Sequence, residues 1–211
     1  MRKRPKTHTK APLIPLPIPS APWERVSVDI VGPWTKTYKG NKYVLCFTDH
    51  LTRFPECHAI PDCQATTIAR IFFDNIICRY GSPRELLSDR GSVFLGAIVT
   101  ETCKMFGVKP LHTTAYNPRC NGLEERYHAT LAQSLAMYID EKQKDWDLFF
   151  PAVQLAYRAS HADQSTGHSP YMLLYGHEVY LPLDVRYTMP QRAPNSIKDY
   201  LSQTISKLEI V

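Results

Sequence analysis

Apolar and polar positions first alternate with a period of two and later repeat with a period near 3.6. Three β-rich runs, at about 25-RVSVDIVG-32, 42-KYVLCFTD-49 and 53-RFPECHAI-60, are separated by Gly- and Lys-bearing turns and predict an antiparallel meander. The stretch 65-ATTIARIFFDNIICRY-80 then places Ile68, Ile71, Phe72, Ile76 and Ile77 at helical spacing and stops at Gly81-Ser82-Pro83. A short buried strand at 85-ELLS-88, a helix at 92–107 and a strand at 108–114 follow, so the pattern changes from hairpins to alternating β and α. Residues 115-AYNPRCNG-122 are turn formers and predict a loop into a helix starting near Leu123; further helices are expected at 145–161 and 170–176. Beyond Gly176 the chain is irregular up to 197-IKDYLSQTISKLEI-210, where Ile197, Tyr200, Leu201, Thr204, Ile205 and Leu208 form one apolar stripe.

This order predicts an α/β fold whose mixed five-stranded sheet, three antiparallel strands followed by alternating α and β, is flanked by helices. At 211 residues one core with tails is expected. Residues 1–22 form a basic arm and Pro-rich linker, 23–178 the core, and 179–211 an irregular linker with a C-terminal amphipathic helix. The five prolines of 11-APLIPLPIPSAP-22 forbid helix and favour an extended strap.

Charge and cysteine content narrow the picture. Arg2, Lys3, Arg4, Lys6 and Lys10 account for the whole net charge of +5, so the basicity reads as an arm, suited to nucleic acid or to nuclear import. The six cysteines show no CxxC pair and several lie in apolar runs, which fits buried free thiols in a reducing compartment. The histidine spacing does not match a structural zinc site. No run of 18 apolar residues is present, so no membrane partner is expected.

Three acids stand out. Asp29 interrupts the apolar pattern of 26-VSVDIVGP-33, Asp89 ends the strand in 86-LLSDRGSVF-94, and Glu124-Glu125 opens a helix. One buried acid is often only a hydrogen-bonded structural residue, and Asp89 alone fits a turn or a helix cap. Three acids at element ends repel one another unless cations lie between them, and carboxylate oxygens suit Mg²⁺ or Mn²⁺. Two such ions support in-line phosphodiester displacement.

On the segments PWERVSVDIVGP, LLSDRGSVF, HTTAYNPRCNGLEERYHATL, STGHSPYMLLYG and LPLD, from about Pro22 to Tyr187, the chain resembles the integrase catalytic core of gypsy-class retrotransposons and retroviruses, in the RNase H-like DDE superfamily. Thirty-five residues separate Asp89 from Glu125, which is the D,D(35)E spacing. The resemblance implies an RNase H-like fold and a metal-dependent strand transferase with endonuclease activity. Asp29 would bridge two Mg²⁺ or Mn²⁺ ions, Asp89 would hold one, and Glu125 the other. It further implies DNA as partner, at element ends and target, a homodimer or higher oligomer, and a nuclear location that is cytoplasmic during element replication. Tyr116, Asn117 and Arg119 on the loop, and Arg126 and His128 on the following helix, are expected to touch DNA. The family's zinc-binding and C-terminal modules are not expected around this core. A second reading therefore stands: a truncated or host-captured relic that binds nucleic acid or protein without catalysis.

Asp49 is expected to be a structural hydrogen-bonding acid, His112 and Thr113 to position the loop, and Trp146, Phe149 and Phe150 to be core or dimer-interface residues. Local physics also separates the paired glutamates. Asn121 is a good N-cap and Glu124 falls at the third helical position of a capping box. The stripe Leu123, Tyr127, Leu131, Leu135 and Tyr138 leaves Glu124 near its edge, whereas Glu125 points roughly 140° from its centre, toward a cleft.

Overall fold

The computed structural model describes residues 16–89, 91, 93, 94, 96–112, 129–139, 142–161, 167–182, 184, 202 and 206. Strands β1 (Arg25–Val31), β2 (Tyr43–Asp49) and β3 (Pro55–Ile60) form the expected meander. Next come α1 (Ala65–Ile71), a π-helical stretch (Phe72–Ile77) and α2 (Cys78–Tyr80), which together span the predicted helix. β4 (Glu85–Ser88), α3 (Ala97–Met105) and β5 (Lys109–His112) follow, then a helix at 129–136 (α4), α5 (Trp146–Ala159) and α6 (Pro170–Tyr175).

The five strands lie in the order β3-β2-β1-β4-β5. β1 is antiparallel to β2 and parallel to β4, and β5 is parallel to β4. Strand period two sorts the side chains into two cores. Val26, Val28, Leu45, Phe47 and Leu86 face α1, the π stretch and α3, where Ile68, Phe72, Ile76, Val99 and Cys103 meet them. On the opposite face Val44, Cys46 and Cys57 pack with Leu131 and Leu135 of α4 and with Trp146, Phe150 and Val153 of α5. The sheet is thus the middle of three layers. Burying each large apolar side chain contributes roughly 1.5–3 kcal/mol.

Trp146 is 1% and Phe150 3% exposed, so the aromatic group at the start of α5 belongs to the core. Leu131 and Leu135 of the expected stripe are each 1% exposed, but Tyr138 is 60% exposed because the helix ends at 136. Leu123 and Tyr127 lie outside the described residues.

Two expectations need correction. The helix predicted for 92–107 begins only at Ala97: Val93 and Phe94 sit in a turn, with Phe94 N–H bonded to Gly91 O at 3.0 Å, and Gly96 precedes the first helical residue. Phe94 serves the core from that turn, so its apolarity was not helical periodicity. The thiols also differ among themselves. Cys46, Cys57 and Cys103 are buried and Cys63 is half-buried, but Cys78 is exposed, since α2 turns it away from the apolar run that contains it. All six residues of the apolar stripe in 197–210 lie outside the described residues; within that segment only Ser202 and Ser206 are described, and both are helical. No described helix is long and apolar enough to cross a membrane.

Candidate active site

Asp29 is the fifth residue of β1, the central strand. By strand parity it points to the same face as Cys46, its partner on β2, and as Arg25 and Ser27, which is the face covered by α4 and α5. The parallel register between β1 and β4 runs from Arg25–Glu85 to Val28–Ser88. Continued one step past the last residue of β4, the same register leads from Asp29 to Asp89, near the carboxyl ends of strands that neighbour each other at about 4.8 Å. Carboxyl ends of parallel strands are where open α/β sheets place their ligands. Asp29 is half-buried, with its Oδ1 accepting the Ile30 N–H at 2.8 Å. Asp89 is exposed.

Gly91 fixes the aim of Asp89. Its N–H donates to Asp89 Oδ1 at 2.8 Å, and a Cβ at this position would meet the same oxygen at 2.9 Å. The turn therefore holds the carboxylate only if residue 91 carries no side chain. Behind it, Ser88 Oγ donates to Asp89 O at 3.0 Å and lies 3.1 Å from His112 Nδ1. A hydroxyl has one proton, so with that proton on Asp89 O the histidine must present Nδ1–H. This links the end of β5, where the loop expectation begins, to the backbone of Asp89. His112 is thus tied to the residue before Asp89, while the loop it was expected to position lies outside the described residues. Thr113 lies outside the described residues.

A second glycine closes the site end of β1. At Gly32, φ is +129°, and a Cβ there would meet Lys42 O at 2.8 Å and the Tyr43 ring at 2.9 Å, so the connection leaving β1 can fold back onto β2 only with glycine.

Asp49 fills the structural role expected of it. Fully buried, it accepts from Trp23 N–H at 2.9 Å, from Thr52 N–H at 3.0 Å and from Thr52 Oγ at 2.6 Å. Nearby His50 is half-buried beside Arg53 and Arg25, and burial first, then these cations, hold its pKa down to about 4.

Glu125, Tyr116, Asn117, Arg119, Arg126 and His128, with Glu124, lie outside the described residues. Of the expected site residues the structure thus describes Asp29 on β1 and Asp89 just beyond the neighbouring parallel strand β4. Among the described residues no three His, Cys, Asp or Glu side chains converge on one point. The donor chemistry fits a divalent ion all the same: two adjacent carboxylates, one exposed, offer hard oxygens of the kind Mg²⁺ and Mn²⁺ prefer.

Residues 19–118 match the family described as the integrase core domain. Over those residues, just under half of its length, the chain is similar to integrase core domains. It is 29% identical over 194 residues to the retrovirus-related Pol polyprotein from transposon 412 of Drosophila melanogaster, covering 91% of this chain and 15% of that protein. To gypsy retrotransposon integrase-like protein 1 of Bos taurus it is 27% identical over 161 residues, covering 76% of this chain and 32% of the relative. The chain thus spans a minor part of both. The solved catalytic core domain of BIV integrase superposes with a TM-score of 0.55 at 23% identity, covering 80% of this chain and 99% of that one. The HTLV-2 integrase catalytic core domain in complex with magnesium gives 0.58 at 18% identity, covering 74% and 99%. At these identities the likeness shows the fold, which is RNase H-like, with the mixed sheet and flanking helices of the retroviral integrase cores.

Proposed function

We propose that this integrase core is a polynucleotidyl transferase that processes the 3′ ends of long-terminal-repeat DNA and joins them to target DNA with two divalent metal ions. The observation that carries this reading is the pair Asp29 and Asp89, one register step past the last β1–β4 pair. Two neighbouring carboxylates repel a DNA phosphate as well as each other, so an anionic substrate is compatible with this site only when cations are held between them. Asp29 would contact both ions, Asp89 one, and Glu125, thirty-five intervening residues beyond Asp89, the other. Ions bound this way supply charge neutralisation and activation of the attacking oxygen.

The chain's own residues aim the carboxylates. Gly91 N–H and the Ser88–His112 pair orient Asp89, and the buried core under β1 holds Asp29 rigid. In the first reaction a water oxygen forms a bond to the phosphorus next to the terminal dinucleotide and the bond from that phosphorus to the preceding nucleotide's 3′ oxygen breaks; that oxygen takes up a proton from the water to become the free 3′-hydroxyl, and the dinucleotide leaves with the phosphate. In the second that hydroxyl attacks a target phosphodiester, a new P–O bond forms, and the target's own 3′ oxygen leaves with a proton. Neither reaction needs a covalent protein–DNA intermediate. Tyr116, Asn117, Arg119, Arg126 and His128 would contact the DNA, and the core would act in the nucleus as a dimer or larger assembly.

The test incubates the purified chain with Mg²⁺ or Mn²⁺ and a branched or terminal-repeat DNA, alongside Asp89→Asn. A metal-dependent strand-transfer product from the unmutated chain alone is the expected result. No product, or equal product from the variant, would overturn the enzymatic reading; DNA binding without product from either would favour the non-catalytic relic.

A further inference from the structure

Two segments distant in sequence, 34–42 and 142–147, meet at the end of the sheet where β1 finishes. Trp34 N–H donates to Lys42 O at 2.7 Å and Tyr38 N–H to Lys144 O at 3.0 Å. Trp146 Nε1 donates to Thr35 O at 2.8 Å. Thr37 Oγ and Asn41 Nδ2 both donate to Asp147 Oδ2, at 2.9 and 2.7 Å. The two segments are therefore one clamped knob at the N-terminus of α5. It presents Lys36, Lys39, Lys142 and Lys144, all exposed, around Tyr38, which is 73% exposed.

None of these four lysines forms an ion pair among the described residues. Asp147 already accepts two hydrogen bonds inside the knob, and Asp145 is half-buried at the start of α5. Asp140 and Glu141 precede Lys142 and lie outside the described residues. Lys42, whose backbone oxygen accepts within the knob, is half-buried and not counted with these four exposed lysines. Four ammonium groups on one rigid knob repel one another, and a solvated face would need no clamp to hold them together. Position adds a second argument. Asp29 and the knob lie at the same end of the sheet, and Lys36 is only seven positions after Asp29, which bounds the gap at roughly 25 Å. That is less than one turn of duplex DNA, about 34 Å.

Resting on the function proposed above, we propose that this knob is a duplex-DNA phosphate clamp that holds the backbone within one helical turn of the reacting phosphodiester. Lysines supply point charges for phosphates, and Tyr38 offers a hydroxyl and a flat ring against the sugar-phosphate edge.

The experiment measures binding of the full chain to a labelled 30-base-pair duplex by anisotropy from about 50 to 200 mM KCl, for the unmutated chain, K36Q/K39Q/K142Q/K144Q, the matching Lys→Arg set and the remote K104Q. Each phosphate contact adds about 0.9 to the slope of log affinity against log salt. The glutamine set is expected to lower that slope by about 2 to 4 and to weaken binding at least about tenfold at 100 mM. The arginine set and K104Q should keep the slope, and thermal unfolding of every variant should match the unmutated chain. An unchanged slope in the glutamine set would overturn the clamp alone. If the unmutated chain shows no salt-dependent binding, both the clamp and the proposed function fall.

Discussion

Glu56 and Asp89 lie on the same sheet and meet opposite surroundings. Glu56, on edge strand β3, is buried, and both its oxygens are engaged: Oε2 accepts from Arg158 at 2.9 Å and from Tyr80 OH at 2.8 Å, while Arg79 and His58 stand 3.6 Å from Oε1. Arg158 also donates twice to Pro55 O and stacks 4.3 Å over Phe54. Burial, then the Glu56 charge, push the Tyr80 hydroxyl's pKa well above its usual value. Asp89 is exposed, forms no ion pair among the described residues, and is held by one backbone N–H. A carboxylate neutralised by the protein itself ties elements together; a carboxylate aimed but left without a protein cation can take one from solution.

The comparison breaks most visibly if the buried acid is removed. Glu56→Gln leaves the half-buried Arg158 without its counter-charge and is expected to lower stability by about 2 kcal/mol in urea unfolding, with little effect on metal-dependent strand transfer per folded molecule. Asp89→Asn should do the reverse, reducing strand transfer at least about a hundredfold, on the order of 2.7 kcal/mol, while the unfolding midpoint stays put. Glu125→Gln should match Asp89→Asn in activity.

Smaller changes sharpen it. Below its unfolded pKa of about 6.5, the unfolded chain protonates His50 and the folded chain does not until about pH 4, so stability is fully present above pH 6.5 and falls toward pH 4, by on the order of 2 kcal/mol. His50→Gln should flatten that limb in a pH series of unfolding curves. Gly91→Ala, by crowding Asp89 Oδ1, should cut strand transfer roughly tenfold with under about 1 kcal/mol of stability lost. Glu124→Gln should cost at most about 1 kcal/mol and leave activity in place, because its expected role is a cap; equal loss of activity in Glu124→Gln and Glu125→Gln would overturn that division.

Asp29 and Asp89 were legible because each breaks a local rule, one as an acid in an apolar strand and the other as an acid at a strand's end. Glu56 was not. In 53-RFPECHAI-60 it reads as an ordinary polar position, and its partners Tyr80 and Arg158 lie 24 and 102 residues away. Gly91 left a faint trace, a small residue two places after Asp89, but periodicity counted its neighbours Val93 and Phe94 as helix. The knob lysines were masked by bookkeeping of net charge, which assigned all basicity to the arm and could not register a local cluster balanced by acids elsewhere.

The sequence by itself determined the order of strands and helices, the apolar faces and the spacing of the three acids, because period and capping act over a few residues. Which strands pair, and in what register, depends on contacts between distant segments. The tertiary structure alone therefore paired the strand of Asp29 with the strand that leads into Asp89, surrounded Glu56 with cations and gathered four lysines on one clamped corner.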